Sequence, residues 1–363
     1  MVKKAKHLYI SLFLLIDNNI NIIGVIDLVI NKLIRALSIR IIRNTQYKTG
    51  LFGASSRKVN TGYDKAWIRD NVFVSLGLEN AGDIISAKKS YHGLLDALLK
   101  HEYKIDWAIR QKPDAKFKYI HARVDPETLE EIHEDWGNMQ NDSIGGLLFK
   151  IGDLYKKGVM IIRNNNDLRI VQKLVDYLGS VEYWHDEDNG IWEENEEVHA
   201  SSVGACVAGL KAVSRIVDVP VWLIEKGQDT LNTLLPRESK TKEVDLALLT
   251  LIYPFNVVTH EQKMQILYNI ETKLVRKRGV ARYLNDYYYN NGFEAEWTFG
   301  FPWLAIIYKQ MGNKKKYWHY LLKTFLVMNW KLELPELYYG NTSKYNENTP
   351  LSWSQAMLLC AIS

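Results

Sequence analysis

The chain has 363 residues, 47% of them apolar and 24% charged, the balance of a globular protein and not of a disordered or collagen-like one. That length accommodates two or three domains, or one large barrel. The net charge of +4 arises from 46 basic and 42 acidic residues with no dominant basic block, which gives no case for nucleic acid and leaves a neutral ligand compatible.

Lys3, Lys4 and Lys6 precede an apolar run from Tyr9 to Ile16, superficially the order of a secretory signal. The run is short, Asp17-Asn18-Asn19 follows at once, and no small-residue cleavage site is present. The reading is therefore against a cleaved signal, and the run is too short for stable membrane insertion. Residues 1–20 are set apart as an N-terminal segment, its role open between an ordered first helix, a loosely membrane-associating stretch and a start codon placed too early. Residues 21–363 read as one domain.

From there the chain reads as helix after helix. Apolar periodicity predicts helices near 22–40, 69–81, 84–102, 138–158, 166–181, 200–217, 220–234, 243–252, 259–273, 295–312, 314–330 and 350–362. In the second, Val72, Phe73 and Leu76 share a face, and Gly82 supplies a left-handed cap. In the fourth, Ile144, Leu147, Leu148, Ile151 and Leu154 form the stripe and Gly158 marks the end. Twelve helices without a fixed-period repeat predict paired helices in a ring, with a plain bundle as the other packing. Lys314-Lys315-Lys316 reads as a turn between helices. Cys206 and Cys360 fall in apolar helical surroundings and read as core residues. No disulfide framework, metal set or cofactor is expected, and a reducing, cytoplasmic compartment is the easier reading.

The long loops 103–137, 182–199, 276–296 and 331–349 hold many of the 11 Trp and 21 Tyr beside Asp, Glu and Gly. Loop aromatics are expected to be exposed, where sugar rings stack on them and hydroxyls bond to carboxylates; protein interfaces use the same residues. Five constellations stand out. Trp67-Ile68-Arg69-Asp70-Asn71 puts a charge pair at a helix start, where Asp70 also serves as a cap or dipole partner. Trp136-Gly137-Asn138-Met139-Gln140-Asn141-Asp142 enters the next helix, with Asn138 or Asn141 as a cap. Asn189-Gly190-Ile191-Trp192-Glu193-Glu194 forms a turn that presents Trp and Glu. A carboxylic acid beside an indole is partly desolvated, which raises its pKa and suits it to donate a proton; Glu193, Glu194, Glu196 and Glu197 are expected to raise one another further. Arg282-Tyr283 with Asp286 precedes Glu294-Ala295-Glu296-Trp297. Last comes Leu334-Pro335-Glu336-Leu337-Tyr338-Tyr339-Gly340, then Thr349-Pro350-Leu351-Ser352-Trp353-Ser354. A loop carboxylate with no adjacent Lys or Arg is a plausible base.

Taken in order, over roughly residues 45–362, these resemble the glucoamylase-type glycoside hydrolases of family 15 and their relatives, the regulatory α and β subunits of phosphorylase kinase. The resemblance rests on Trp-x-Arg-Asp, Trp-Gly-x-x-Gln-x-Asp, Trp-Glu-Glu, Arg-Tyr-x-x-Asp and a late Pro-Glu before Thr-Pro-Leu-x-Trp-Ser. It implies an all-α (α/α)6 barrel with its site at one end, and an inverting, exo-acting glucosidase that takes an oligosaccharide or α-glucan. Glu193 matches the proton donor and Glu336 the base that activates water, their carboxyls about 6.5–9.5 Å apart in such enzymes; Glu194 is the first replacement for the acid. Arg69 and Asp70 match the residues that hold the terminal glucose. Trp136, Gln140 and Asp142 match the pocket wall and Trp192 the ring beside the acid. Trp67, Glu194, Arg282, Asp286 and Trp297 complete the implied sugar contacts.

The departures are specific. Neither an N-terminal β-sandwich nor a starch-binding domain fits in this chain. The late motif reads Pro-Glu-Leu where many members have Pro-Glu-Gln. His121-Ala122-Arg123 and Glu294-Ala295-Glu296-Trp297 look more like the kinase-subunit branch. The competing reading is therefore a sugar-binding or regulatory protein of the same fold; two placed glutamates favour catalysis, because binding alone does not need both. Linkage, chain length and oligomeric state are left open.

Overall fold

The structure, a computed structural model, describes residues 20–132, 134 and 136–363, with side chains described from residue 31 onward. Apart from Ile20, the N-terminal segment lies outside the described residues. Among the described residues there are thirteen α-helices: α1 (Ile20–Arg43), α2 (Ile68–Asn80), α3 (Ile84–Lys100), α4 (Glu102–Arg110), α5 (Asn141–Lys156), α6 (Asn165–Val181), α7 (Ala200–Val213), α8 (Val221–Leu234), α9 (Leu249–Ile252), α10 (His260–Lys273), α11 (Gly300–Gln310), α12 (Lys314–Val327) and α13 (Ser352–Ile362). Two antiparallel ribbons join them: β1 (Ala66–Trp67) with β2 (Arg123–Val124), and β3 (Glu296–Trp297) with β4 (Leu337–Tyr338).

Helices α2, α5, α7, α9, α11 and α13 pack each on the next, and α13 returns to α2. They form the inner ring of an (α/α)6 barrel. Composition explains the division. The described side chains of α13 are buried throughout, as expected for a helix apolar on all sides. Outer helices carry one stripe: in α6, Ile170, Val171, Leu174, Val175, Leu178 and Val181 are buried, while Asn165, Asn166, Arg169 and Asp176 face water. Small residues set the closest inner contact. A Cβ on Gly145 of α5 would lie 2.4 Å from the Cys206 amide nitrogen of α7.

The topology puts the N-terminal ends of the inner helices, and the loops that precede them, at one end of the barrel. β1 runs straight into α2, and β3 leads into α11.

Several boundaries differ from the periodicity. The loop expected over 103–137 begins with helix α4, which buries Lys104, Ile105 and Ala108 and exposes Tyr103 and Trp107, so its aromatics gave it the look of a loop. The fourth helix starts at Asn141, not 138, and its capping position is Gln140, which makes no side-chain cap bond. Neither asparagine caps it: Asn138 donates to the Lys116 carbonyl (3.0 Å) and Asn141 donates its side chain to Asp186 (2.9 Å). The helix expected from residue 295 begins at Gly300, behind the strand Glu296–Trp297. Lys314–Lys316 form the first turn of α12 under an Asn313 cap. The loop aromatics divide: Tyr103, Trp107, Phe117, Tyr287, Phe293 and Tyr345 are exposed as expected, whereas Tyr119, Tyr183, Trp192 and Tyr338 are buried. Trp67 and Trp297, outside those loops, are buried as well, and in the same wall Trp353 stacks on Phe299 at 4.9 Å and on Phe73 at 4.6 Å. Cys206 and Cys360 are buried free thiols.

Adjacent glycines of α5 give opposite expectations. Gly145→Ala forces α5 and α7 apart and is expected to cost about 1–3 kcal/mol. At Gly146 the nearest atom to an added Cβ is 3.6 Å away, so Gly146→Ala is expected to be neutral or stabilising by up to about 1 kcal/mol. Urea unfolding of both variants measures the difference.

Candidate active site

A pocket enclosing about 500 Å3, counting the space at its mouth, opens at the N-terminal end of the inner helices; its lining includes Tyr63, Trp67, Arg69, Asp70, Trp192, Glu193, Arg282, Tyr288, Trp297, Glu336 and Trp353. Glu193 and Glu336 reach it from different loops, one before α7 and one before α13.

The Glu193 loop is pinched at its base by paired backbone bonds between Asp188 and Glu197 (3.1 and 3.0 Å). Gly190 has φ +61° and seats its α-carbon against the ring of His199. Glu193 itself has φ +66°, a left-handed conformation that costs an L-residue about 1–2 kcal/mol. The loop is held by many bonds: Asp188 accepts from Gly190 N (3.0 Å) and Ser202 (3.1 Å), Asn189 donates to the Glu194 carbonyl (2.7 Å), and Trp192 Nε1 donates to Asp245 (2.8 Å). Buried His199 faces Glu238 with Nδ1 (3.4 Å) and donates from Nε2 to the Asn195 carbonyl (3.2 Å). Burial opposes its charge, but Glu238 and Asp188 outweigh that and raise it to about 9.

The Glu193 carboxyl receives one side-chain bond, from Arg69 Nη2 at 2.9 Å. Burial pushes its pKa up to about 7; Arg69 opposes the rise and Asp70 adds to it. The expectation that clustered acids raise one another fails, because the neighbours have their own donors. Glu197 accepts from Ser239 and Thr241. Glu194 accepts from Arg282 (2.5 Å), Tyr283 (2.5 Å) and Lys242 (3.3 Å). Both lie below the usual carboxylate range despite burial, so Glu194 is unsuited to replace Glu193 as a proton donor.

Arg69 is 4% exposed. Its Nη1 donates to Gln140 (2.7 Å) and Asp142 (3.3 Å), alongside the Nη2 bond to Glu193. Gln140 and Asp142 thus brace Arg69 and do not line the pocket. Trp136 also falls outside the lining: it packs edge-on to Trp67 (6.0 Å) under the Arg123 guanidinium (4.5 Å). Asp70 is not a helix cap; the capping position is Trp67, with no side-chain bond. Its carboxyl faces the pocket, and burial raises its pKa to about 6. Arg282 is clamped by Asp286 (2.7 and 2.6 Å) within 4.8–5.6 Å of the rings of Trp192, Tyr283, Tyr288 and Trp297.

Glu336 is fully buried. Oε1 accepts from Tyr63 (2.7 Å) and Oε2 from Asn348 (2.8 Å) and Asn346. Burial raises its pKa, and the three donors hold that rise back. Tyr63, Tyr288, Asn346, Asn348 and Trp353 were not singled out as site residues from sequence. The two asparagines flank Glu347 ten to twelve residues after Glu336, and nothing short of the folded loop marks them as its donors.

The sequence profile of glycosyl hydrolases family 15 matches residues 31–243, more than half of the chain. The chain belongs to this family. Among curated relatives of this family 15 chain, the probable phosphorylase b kinase regulatory subunit alpha of Caenorhabditis elegans is 26% identical over 75% of the chain and 27% of its own length. The skeletal muscle isoform of that subunit from Oryctolagus cuniculus is 29% identical over 66% of the chain and 22% of its own length. The chain thus spans about a quarter of these relatives. Among solved structures, a wild-type glycosidase superposes with a TM-score of 0.77 at 20% identity, covering 90% of this chain and 95% of that one. A bacterial glucoamylase complexed with acarbose gives 0.65 at 16% identity, covering 90% and 54%. These likenesses show the fold.

His199 gives a stability test. Its folded-state pKa, about 9, lies above the unfolded value of 6.5, so its contribution is fully present below about pH 6.5 and is lost as pH rises through 9. That contribution is on the order of 3 kcal/mol. Urea unfolding should show wild type losing its advantage over His199→Gln across that window; a constant difference would contradict the assignment of a buried imidazolium.

Proposed function

We propose that this family 15 chain is an inverting, exo-acting glycoside hydrolase that releases glucose from α-glucosides, with Glu193 as general acid and Glu336 as general base. One observation carries the reading: two carboxyls share a pocket in opposite environments. Glu193 is half-buried beside Asp70 with a single donor, and its pKa near 7 keeps a proton available. Glu336 is surrounded by donors that favour its charged form, as a base that activates water requires. In the proposed step Glu193 protonates the glycosidic oxygen. Glu336 takes a proton from water as that water attacks the anomeric carbon from the opposite face, and the product is glucose of inverted configuration.

Asp70 accepts no hydrogen bond from the protein among the described residues, which leaves its oxygens for sugar hydroxyls. Trp67, Trp192 and Trp297 offer apolar ring faces. Arg282 adds a buried guanidinium to the pocket wall, and Glu194 and Asp286, outside the lining, hold it there. A glucose complex among the similar glycosidase structures supports a sugar ligand, and two buried free thiols support a reducing, cytoplasmic setting. Among the described residues no helix is long and apolar enough to cross a membrane. The second reading, a sugar-binding regulatory protein, is favoured by the names of the curated relatives.

A panel of α-glucosides with the anomer of released glucose followed by NMR separates the two. Glu193→Gln and Glu336→Gln are each expected to reduce kcat by about 10²–10⁴-fold while leaving sugar binding in place. The acid must be protonated, so wild-type kcat/KM is expected to fall as pH rises above about 7. Near-normal turnover in either variant would overturn the assignment. Measurable sugar binding with no hydrolysis across the panel would establish the regulatory reading.

A further inference from the structure

Tyr63 and Tyr288 lie far apart in sequence, and their hydroxyl oxygens stand 2.8 Å apart at the pocket wall. Tyr63 also lies 2.7 Å from Glu336 Oε1 and donates to it. A phenol has one proton. When Glu336 is ionised its oxygens only accept, so the Tyr63 proton points to the carboxylate and the bond between the tyrosines is donated by Tyr288. The hydroxyls therefore form a directed chain, Tyr288 to Tyr63 to Glu336.

We propose that Tyr288 is a positioning residue for the base: by donating to Tyr63 it polarises the hydroxyl that holds Glu336 and so sets the readiness of that carboxylate to take a proton. The catalytic part of this rests on Glu336 acting as the base; the hydroxyl chain itself does not.

The Tyr288 ring is held independently of its hydroxyl. It lies 5.8 Å from the Trp297 ring, 4.7 Å edge-on to Tyr289 and 4.8 Å beneath the Arg282 guanidinium. Its backbone nitrogen donates to Asp286 at 2.9 Å. Removing the hydroxyl thus leaves the ring in place and changes one link. The other groups that act on Glu336 are Asn346 and Asn348 on Oε2, the Arg282 charge, which favours ionisation, and Asp70 and Tyr289, whose own titrations feel it. None of them donates to Tyr63, so they form a constant background against which the chain is read.

A donor into a hydroxyl oxygen strengthens that hydroxyl's own donation by roughly 10–30%. A bond to a charged acceptor, lost outright, moves a titration by about 1–2 pH units. Tyr63→Phe is therefore expected to raise the Glu336 midpoint by about 1–2 units, and Tyr288→Phe by about 0.1–0.6. The double variant should equal Tyr63→Phe alone, because with the middle hydroxyl gone Tyr288 has no route to the carboxylate.

The experiment titrates the Glu336 carboxyl carbon by NMR in protein made with ¹³C-labelled glutamate, the resonance assigned by its loss in Glu336→Gln. The acid limb of kcat/KM should follow the midpoint in each variant, with KM little changed. An unmoved midpoint in Tyr288→Phe overturns the proposal. So does a double variant that adds the full Tyr288→Phe increment to that of Tyr63→Phe, which marks an independent contact. Midpoints that shift as expected in a protein that hydrolyses no α-glucoside support the hydroxyl chain and sink the catalytic reading; unmoved midpoints in an active enzyme sink the chain alone.

Discussion

The buried guanidinium of Arg69 is the constraint around which the site is built. Taking a cation out of water costs several kcal/mol unless its partners are well placed. Here they come from Gln140 at the capping position of α5, Asp142 in its first turn, and Glu193 in the loop before α7. Gln140 and Asp142 together fix the entry of α5 relative to α2, and Glu193 fixes that of α7. Gln140 is held in turn by a bond from its amide to the Gly137 carbonyl, which leaves its oxygen free to accept. The Trp-x-Arg-Asp and Trp-Gly-x-x-Gln-x-Asp motifs are thus two halves of one contact, and Glu193 hangs from it.

The same contact separates the two glutamates of Trp-Glu-Glu. A left-handed turn at Glu193 sends consecutive side chains to different surroundings. Glu193 meets one donor and a neighbouring carboxyl, Asp70. Glu194 meets Arg282, Lys242 and Tyr283 and is held as an anion. Arg282 is itself neutralised by Asp286 and enclosed by rings. Adjacent residues of one type therefore have opposite proton affinities, fixed by the backbone and by which donors lie within reach.

How much of this was legible in sequence divides by range. The inner helices showed themselves through apolar composition, and the ring through their number. Arg69, Asp70, Glu193 and Glu336 lay in ordered motifs, and the structure brings all four to one pocket. What sequence hid was contact between distant segments. Asp142 was assigned to the wall because its motif borders the site, yet it stands behind Arg69. Loop aromatics are expected in solvent where no periodicity buries them; Tyr287 and Phe293 are there, but Trp192 is buried against Trp297, from the ribbon before α11, at 5.5 Å. Helix α4 was missed because Tyr103 and Trp107 lie on its exposed face and only Lys104, Ile105 and Ala108 point inward, too short a stripe to read.

Kinship to regulatory subunits and likeness to glycosidases draw on different parts of the molecule, and the energetics separate them. Overall identity near 26–29% records the scaffold. The site carries costs that a scaffold does not need: a left-handed backbone at the half-buried Glu193, buried carboxyls at Asp70 and Glu336, and a cation enclosed by rings. Such costs persist only where the surroundings over-determine them, and here they do, through bonds from three inner-helix entries and two loops. A pocket that only held a sugar would be served by the rings and by Asp70. One carboxyl is short of donors and the other is crowded with them, a difference that a sugar hydroxyl, able to bond to either, does not require. On the proposed catalytic reading the difference has a use: a proton leaves one carboxyl and arrives at the other in the same turnover.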